Sequence, residues 1–361
     1  MNRLRVQGMD DSAAGAEELS AALLALEDRV AVDAAAGYAA AVDLERRAEA
    51  LGDQALLMRA RLCWIDMLRR TGDFREAARH VKGIQAWARR HGDRRMRART
   101  HLVQASIERL SGHGAKSLEH ALDAVELLDE TATAHMQVWH RLKLADALAE
   151  YRGMETARPR YRQAEVLARE LRQWEQLTVT LNNWAYSEYR AGNLPQARQV
   201  AGRMQDHAVA RDYHLDPDAL DTIAAIQIAN GDYAEAEQTM QVCIARYKGA
   251  GPNDADEMAE YLLTLARAQR LLGATGRALV SLDAAHTLCT ERGLRELLVQ
   301  VYQERAELHT ANGEHTEALA AKEASIAARD SLPSPPRKPL RVILAAILRT
   351  RQGRRGNQAP G

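Results

Sequence analysis

A short turn motif returns along this chain at a nearly constant interval, and it limits the fold more than any other feature. The clearest copies are Gly-Asp-Phe-Arg-Glu-Ala at 72–77 and Gly-Asp-Tyr-Ala-Glu-Ala at 231–236. A constant period is typical of a solenoid, in which each repeat is one supersecondary unit packed on the next. Successive copies are 39 to 42 residues apart, and their glycines are Gly72, Gly112, Gly153, Gly192, Gly231, Gly273 and Gly313.

The composition indicates that these units are helical. The 361-residue chain is 46% hydrophobic and 27% charged, and good helix formers such as Ala, Leu, Glu and Arg dominate it. It contains a single Phe and few β-branched residues, so little material is present for a sheet. We therefore predict an all-α fold of about seven or eight helical hairpins.

Two further positions of each repeat carry small side chains, which allow the axes of two helices to approach closely. The glycine between these positions is expected to end the first helix in the left-handed conformation. The Asp or Asn after it, as at Asn193 and Asp232, is expected to cap the second helix. The small residues lie five residues after the glycine, at Ala77, Ser117, Ala197, Ala236, Ala278 and Ala318, or seven before it, at Ala105, Ala185, Ala224, Ala266 and Ala306.

This hairpin of small residue, glycine, aromatic residue and alanine resembles the tetratricopeptide repeat (TPR), most specifically at 72–77 and 231–236. The resemblance covers roughly residues 35–330 and implies an α-α superhelix whose first helix in each hairpin lines a concave groove. The period of about 40 exceeds the usual 34, so each helix is expected to be about a turn longer.

The array is assigned to residues 13–330 and opens with a cap helix at 13–29. Residues 1–12 are expected to be a flexible N-terminus. Residues 331–361 are expected to be a disordered tail, because four prolines fall within 331–339 and the segment is basic.

The repeat at Gly153 departs from the pattern. Asp146 and Arg158 occupy the positions where small residues are expected. If Ala164 is the true equivalent, the turn carries about six extra residues. We therefore expect a longer loop at 153–158, with Pro159 opening the next helix.

The charge is divided unevenly between the tail and the rest of the chain. Residues 331–361 hold seven of the 49 basic residues and no acidic residue, which leaves 42 basic residues against 49 acidic ones elsewhere. A body of that sign has no general attraction for nucleic acid. The longest apolar run, at 342–348, is too short to span a bilayer.

The cysteines indicate a reducing compartment. Cys63, Cys243 and Cys289 are far apart and form no Cys-x-x-Cys pair, which argues against a disulfide framework and a zinc site. Cys243 falls where other repeats carry alanine, so it is expected to be a small buried side chain. We expect a cytoplasmic protein.

No motif predicts catalysis, a cofactor or a metal site. The segment Ser-Gly-His-Gly-Ala-Lys-Ser at 111–117 lacks the glycine that a phosphate-binding loop places directly before its lysine. The chain has no His-Glu-x-x-His and no Gly-x-Ser-x-Gly motif. His135 and His140 are five residues apart, which does not place two metal ligands on one helical face. We expect no enzymatic activity.

Carried over by register, the TPR resemblance predicts which side chains face the groove. In the first three repeats these positions are mainly basic, although the body is acidic, and Arg and Tyr are good interface anchors. The prediction is therefore a groove that binds an extended acidic peptide or a partner protein. The alternative is a solvated face with ion pairs inside each helix. The predicted groove residues are Arg59, Asp66, Arg69, Arg99, Arg109, Lys143, Asn182, Tyr186, Tyr189, Arg190, Arg267 and Arg270.

The segments at 181–193 and 301–324 resemble the TPR sensory region that precedes a GGDEF (diguanylate cyclase) domain in some bacterial signalling proteins, although this chain has no GGDEF motif. The favoured interpretation is a non-catalytic interaction scaffold or sensory module. The alternatives are a TPR-type receptor for a signalling peptide, or the regulatory half of a cyclic-dinucleotide signalling protein. An RNA-reading repeat is disfavoured by the acidic body. Self-association as a homodimer stays open.

Overall fold

The computed structural model describes residues 2–28, 34–70, 74–247 and 254–331, and throughout these ranges the regular structure is α-helical. Within them no helix is both long enough and apolar enough to cross a membrane. The helices are α1 (Asn2–Glu27), α2 (Ala34–Leu51), α3 (Gln54–Arg70), α4 (Phe74–Arg90), α5 (Arg94–Leu110), α6 (Gly114–Glu126), α7 (Ala134–Arg152), α8 (Met154–Glu170), α9 (Trp174–Arg190), α10 (Leu194–Ala210), α11 (Pro217–Asn230), α12 (Tyr233–Arg246), α13 (Asp254–Leu271), α14 (Thr275–Arg292), α15 (Arg295–Ala311) and α16 (His315–Asp330).

The helices form two layers. From α3 onward they pair as seven hairpins, with α1 and α2 in front of them. The odd-numbered helices α1 to α15 each pack closely on the next odd-numbered helix, whereas even-numbered helices of the described chain are linked through long side chains, as in the ion pairs of Arg203 with Glu165 and of Arg277 with Glu237. The odd helices therefore form the inner, concave layer and the even helices the outer one. The predicted all-α, TPR-like superhelix is confirmed.

The described helices overlap the predicted N-terminal segment but not the predicted tail. Helix α1 already begins at Asn2, so the segment assigned to a flexible N-terminus has helical backbone, and α1 also covers the predicted cap helix. The predicted tail lies outside the described residues from position 332 onward. The division of the chain into these three segments stays a prediction.

The glycine at each hairpin turn has the predicted left-handed backbone. Gly112, Gly192 and Gly231 have φ between 72° and 90°, as do the glycines of the other described hairpins, while Gly72 lies outside the described residues. At Gly192 the amide donates to the carbonyl of Tyr189 over 2.9 Å, and the next amide reaches back to Glu188 over 2.9 Å. These two bonds satisfy carbonyls at the end of the first helix.

The predicted capping by the residue after the glycine is wrong. The side chains of Asn193 and Asp232 accept no hydrogen bond from the helix that follows each of them, although their backbone carbonyls do. Their amides already close the preceding helix, and ψ near 60° turns the side chain elsewhere. Side-chain caps occur instead between hairpins, at Asp93, Thr133 and Asp216.

The small side chains lie where the two helices of a hairpin cross. Ala197 and Ala185 are fully buried, and the other predicted small positions of this kind are at most 5% exposed. Ser117 donates its hydroxyl hydrogen to the carbonyl of Ala105 over 2.8 Å, so its polar group is satisfied in the contact. Apolar clusters continue from one hairpin into the next, the largest running from Val138 to Ala268. Cys243 is fully buried, as predicted.

The longer loop predicted at 153–158 is not present. Helix α8 begins at Met154, directly after Gly153, and Pro159 is its sixth residue rather than its start. The small position is taken by Ala157, one residue earlier than the register required, and this residue is fully buried. The connection that precedes this hairpin, at 127–133 between α6 and α7, is seven residues long.

The polar residues that broke the pattern at this repeat have partners in the structure. Asp146 accepts hydrogen bonds from the hydroxyl of Tyr161 over 2.8 Å and from the amide of Asn183 over 3.0 Å. Arg158 donates to both carboxylate oxygens of Glu188 over 2.7 and 3.0 Å.

A second left-handed turn, between hairpins, recurs with a similar period. Gly52, Gly92 and Gly293 have φ of 72°, 66° and 69°. At two equivalent turns the left-handed residue is not glycine but Arg172, with φ of 54°, and Asp212, with φ of 52°. A side chain in this conformation costs roughly 1–2 kcal/mol, so these two turns carry backbone strain that the glycine turns avoid.

Replacement of Arg172 by glycine should therefore stabilise the protein, by about 0.5–1 kcal/mol once the flexibility that glycine adds to the unfolded chain is deducted. The matched control is Arg162→Gly, on an exposed position inside α8, which should destabilise by about 1 kcal/mol. Urea unfolding followed by circular dichroism measures both. A loss of stability in Arg172→Gly as large as in the control would contradict a strained turn.

Candidate binding site in the concave groove

The inner layer encloses a cavity of about 870 Å³. It is formed by the inner helices α3, α5, α7 and α9 and is closed on one side by the end of α1, at Glu27 and Asp28. Each inner helix is separated from the next by one returning helix, so all four run in the same direction. Their C-terminal ends therefore lie along one edge of the cavity, where Arg69, Arg109 and Arg190 are found.

The structure brings most of the predicted groove residues together. Those that line the cavity are Asp66, Arg69, Arg99, Arg109, Lys143, Tyr186 and Arg190. Arg59 lies beside it, where it binds Glu27. Arg267 and Arg270 belong to α13 and both bind the buried carboxylate of Glu304, over 2.9 and 2.5 Å, so they are separate from this cavity.

On α9 the prediction is displaced by one residue. Asn183 and Ser187 line the cavity, whereas Asn182 does not. One residue corresponds to about 100° around a helix, which moves a side chain from the groove to the helix flank. Tyr189 is also outside the lining and packs against the core cluster, with its ring 6.3 Å from that of Tyr186.

Helix α1 supplies a buried carboxylate that the sequence analysis did not assign to the site. The Glu27 side chain is 2% exposed and binds arginines from two inner helices. Arg59 of α3 donates to both carboxylate oxygens over 2.9 and 3.1 Å. Arg95 of α5 donates over 3.0 Å, and Arg99 of the same helix also binds it. Burial raises the pKa of Glu27, but the three guanidinium groups outweigh burial and hold it below its ordinary value.

The cavity is less basic than the groove register predicted. Six basic side chains line it, but so do five acidic ones, and two of those acids, Glu27 and Asp28, come from α1. Within the lining, Arg69 binds Asp66 over 2.7 Å and Lys143 binds Asp146 over 3.0 Å. Carboxylates therefore neutralise most basic side chains of the predicted stripe. The centre of the cavity holds a network of ion pairs and not a free positive surface.

Two arginines at the edge are not neutralised in this way. The side chain of Arg109 is exposed and forms no hydrogen bond or ion pair with any residue that the structure describes. Arg190 is also exposed and donates to the uncharged hydroxyl of Tyr186 over 3.1 Å. These two side chains retain the capacity to bind an anionic group.

The wall of the cavity is aromatic and apolar beside this charged edge. Trp139, Met136 and Leu102 contribute to the lining. The ammonium of Lys143 lies 4.7 Å from the centre of a Trp139 ring, and His135 stacks on Trp139 with ring centres 5.7 Å apart. A surface that combines aromatic rings with charged groups is suited to a ligand that has both apolar and anionic parts.

His140 is a buried polar group in this wall. It is 2% exposed, and neither ring nitrogen has a hydrogen-bond partner within the described structure. Burial and the neighbouring charge of Arg99 lower its pKa from 6.5 to about 3. The imidazole is therefore neutral at physiological pH, and the backbone groups of Met136 and Ala98 beside it oppose the shift only in part.

The sequence matches no known protein-family model and no curated protein. Solved structures match in fold. The APC/C hetero-tetramer Cut9–Hcn1 aligns with a TM-score of 0.59 and 14% identity over 81% of this chain and 50% of that chain, so this chain spans half of its length. The Rap protein complexed with competence and sporulation factor aligns with a TM-score of 0.58 and 13% identity over 89% of this chain and 98% of that chain. NprR in complex with its cognate peptide NprX aligns with a TM-score of 0.54 and 14% identity over 90% of this chain and 89% of that chain.

The fold is a TPR-like helical solenoid. At these identities the likeness establishes the architecture and not the activity. The resemblance of 181–193 and 301–324 to the sensory region of GGDEF regulators is not shown by these comparisons.

Replacement of Glu27 by glutamine should destabilise the protein by about 3–5 kcal/mol, because it leaves three arginines at a buried site without their carboxylate. The matched control is Glu18→Gln on the same helix, whose carboxylate is 74% exposed and binds Arg47; it should change stability by no more than about 1 kcal/mol. Chemical denaturation at pH 7 measures the difference.

The pH dependence of this effect has a defined sign. Since the folded pKa of Glu27 is below its ordinary value of 4.5, its stabilisation is present above pH 4.5 and is lost as the pH falls through the folded pKa. The difference in unfolding free energy between wild type and Glu27→Gln should become smaller in that acidic range. Equal destabilisation by the two substitutions at pH 7 would show that Glu27 does not hold the inner helices together.

The burial of His140 leads to a second prediction for the stability of the protein at acidic pH. Below pH 6.5 the unfolded chain takes up a proton on this residue, whereas the native protein does so only near pH 3, so stability is lost as the pH falls through this window. The loss approaches about 1.4 kcal/mol per pH unit. His140→Phe should remove this dependence of stability on pH. His91→Phe, a substitution at an exposed position, should leave it unchanged. Unfolding free energies at pH 7 and pH 5 measure the slope, and identical slopes in wild type and His140→Phe would contradict the assignment.

Proposed function

We propose that this chain is a non-catalytic binding module whose concave cavity takes a short acidic segment of a peptide or partner protein. The observation that carries the proposal is the cavity of about 870 Å³ between the inner helices, with Arg109 and Arg190 at its edge. A volume of this size is within the range of ligand-binding pockets in proteins. An aromatic wall next to two arginines without carboxylate partners matches a segment with an apolar and an anionic group.

The comparisons support this choice by analogy of fold. The Rap structure contains competence and sporulation factor, the NprR structure contains a cognate peptide, and Cut9 is assembled with Hcn1. Three solenoids of similar architecture thus form complexes with peptides or proteins. Among the alternatives, we favour a receptor for a signalling peptide, because the volume of the cavity suits a short bound segment.

We infer that the anionic end of the bound segment lies at the edge of the cavity where Arg109 and Arg190 are found. Arg109 belongs to the last turn of α5 and Arg190 to the last turn of α9. A carboxylate there would form charge-assisted hydrogen bonds with guanidinium groups that now face water or a tyrosine hydroxyl. The central network of Glu27 with its arginines would not have to break.

The finer parts of the proposal rest on the sequence. We place the module in the cytoplasm because of its cysteine usage, and a regulatory role next to a cyclic-dinucleotide enzyme rests on the resemblance of 181–193 and 301–324. A homodimer would be compatible with binding in the groove, because the outer helices would remain available for contact.

Selection from a random-peptide phage library on the full chain tests the proposal, followed by fluorescence anisotropy with the selected peptides. Acidic peptides should be enriched. The double variant Arg109→Glu/Arg190→Glu should bind them at least about tenfold more weakly, which corresponds to 1.4 kcal/mol or more. Raising the salt concentration should weaken binding to the wild type, because both arginines are exposed.

The control for charge reversal is Arg162→Glu, at an exposed position on the outer helix α8, which should bind as the wild type does. Circular dichroism shows whether each variant keeps its fold. Peptides that bind the double variant as tightly as the wild type would place the site elsewhere. A selection without an excess of Asp and Glu would reject an acidic ligand.

A further inference from the structure

A cluster of two imidazoles and a carboxylate lies between α5 and α6. His101 of α5 faces His120 of α6, and the two Nδ1 atoms are 3.2 Å apart. Asp123 follows His120 by three residues, which places both side chains on the same face of α6. Its carboxylate oxygen lies 3.3 Å from Nδ1 of His101. None of these residues contributes to the cavity in the groove.

We propose that His101, His120 and Asp123 form a binding site for a first-row divalent transition metal such as Zn²⁺. Two neutral imidazoles with one carboxylate are a donor set used by protein sites for such ions. Hard cations such as Mg²⁺ and Ca²⁺ prefer oxygen ligands, so the two nitrogens exclude them as the favoured occupant.

The spacing of the donor atoms is compatible with one ion. In a tetrahedral site with metal–ligand distances of about 2.0–2.1 Å, neighbouring ligand atoms are about 3.3–3.4 Å apart. The observed 3.2 Å between the imidazoles and 3.3 Å between His101 and Asp123 are close to that separation. All three donor atoms lie within 4.8 Å of one another. The Asp123 side chain is 51% exposed, so it is free to turn the short distance that completes the set.

The surroundings favour the uncharged form of both imidazoles, which is the form that binds a metal. Burial lowers the pKa of His101 and of His120 below the ordinary value.

A second group on α4 is placed to orient His101. The amide nitrogen of Gln85 lies 3.3 Å from Nε2 of His101, and the amides of Gln85 and Gln104 face each other over 3.1 and 3.3 Å. If both amides rotate, they keep their mutual hydrogen bonds and present the oxygen of Gln85 to Nε2. That oxygen would accept the Nε2 proton while Nδ1 binds the metal, as the partners of metal-bound histidines commonly do.

With three protein donors, the metal would retain an open position on the exposed side of Asp123. It would also tie α5 to α6 within one hairpin. The site is independent of the proposed peptide function, because it lies outside the lining of the groove.

Titration of the metal-free full chain with Co²⁺, followed by visible absorption, and then displacement by Zn²⁺ tests the site. The expected result is one saturable site per chain, with a rise in the thermal midpoint on addition of Zn²⁺. His120→Ala and Asp123→Asn should each weaken Zn²⁺ binding at least about tenfold, since even the loss of an outer hydrogen-bond partner typically costs 10–100-fold. The Asp123 substitution is at a half-exposed side chain, so it tests the ligand without disturbing the core.

The control is His91→Ala, because His91 is exposed and stacks on Trp87 with no carboxylate among its contacts. It should bind Zn²⁺ as the wild type does and show the same thermal shift. Zn²⁺ binding that is equal in wild type, His120→Ala and Asp123→Asn would assign it to scattered surface histidines and overturn the proposal. Absence of saturable Co²⁺ or Zn²⁺ binding by the wild type would overturn it as well.

Discussion

The close approach of two helices at a few small side chains is the constraint on which this structure depends. In most hairpins both helices carry a buried small residue at a fixed offset from the turn glycine, as at Ala185 and Ala197, which belong to one apolar cluster. A larger side chain at such a point costs typically about 1–3 kcal/mol through overpacking. Because the apolar surface of one hairpin is covered by its neighbours, such a change would affect adjacent repeats too.

Buried carboxylates provide a second kind of contact, between hairpins rather than within them. Glu188 binds Arg158, Glu304 binds Arg267 and Arg270, and Glu27 binds arginines of α3 and α5. Paired charges of this kind add little net stability, but an unpaired partner would be costly. We interpret them as devices that fix which helices face each other. For the groove, the consequence is that arginines at its centre already have carboxylate partners, whereas Arg109 and Arg190 at its edge form no ion pair with any described residue.

The fold could be predicted from the sequence because its determinants are local. The glycine of each turn and the small residues at fixed offsets from it encode the hairpin within a few residues, and the structure confirms both. The capping prediction at Asn193 and Asp232 failed because two adjacent helices compete for the same residue. At Gly153 the polar Asp146 and Arg158 suggested an insertion, but partners on other helices make them compatible with a regular hairpin.

The site was predictable only in outline. Helical register assigned Arg69, Arg109 and Arg190 to the concave side, and all three line the cavity, but Asn183 lines it rather than the predicted Asn182. Glu27 and Asp28 could not be assigned, since their position depends on where α1 docks. The contact between His101 and His120 could not be predicted either, because the two residues are 19 positions apart and meet only when α5 packs against α6.

The docking of α1 gives this solenoid a property that repeat arrays usually lack. The hydroxyl of Thr133 at the start of α7 donates to Asp28 at the end of α1 over 3.2 Å, across 105 positions of sequence. In an array whose repeats contact only their neighbours, units can be removed from one end without affecting distant ones. Here a hydrogen bond joins the end of the first helix to the third hairpin, so removal of α1 would change the surroundings of a repeat that is not its neighbour along the array.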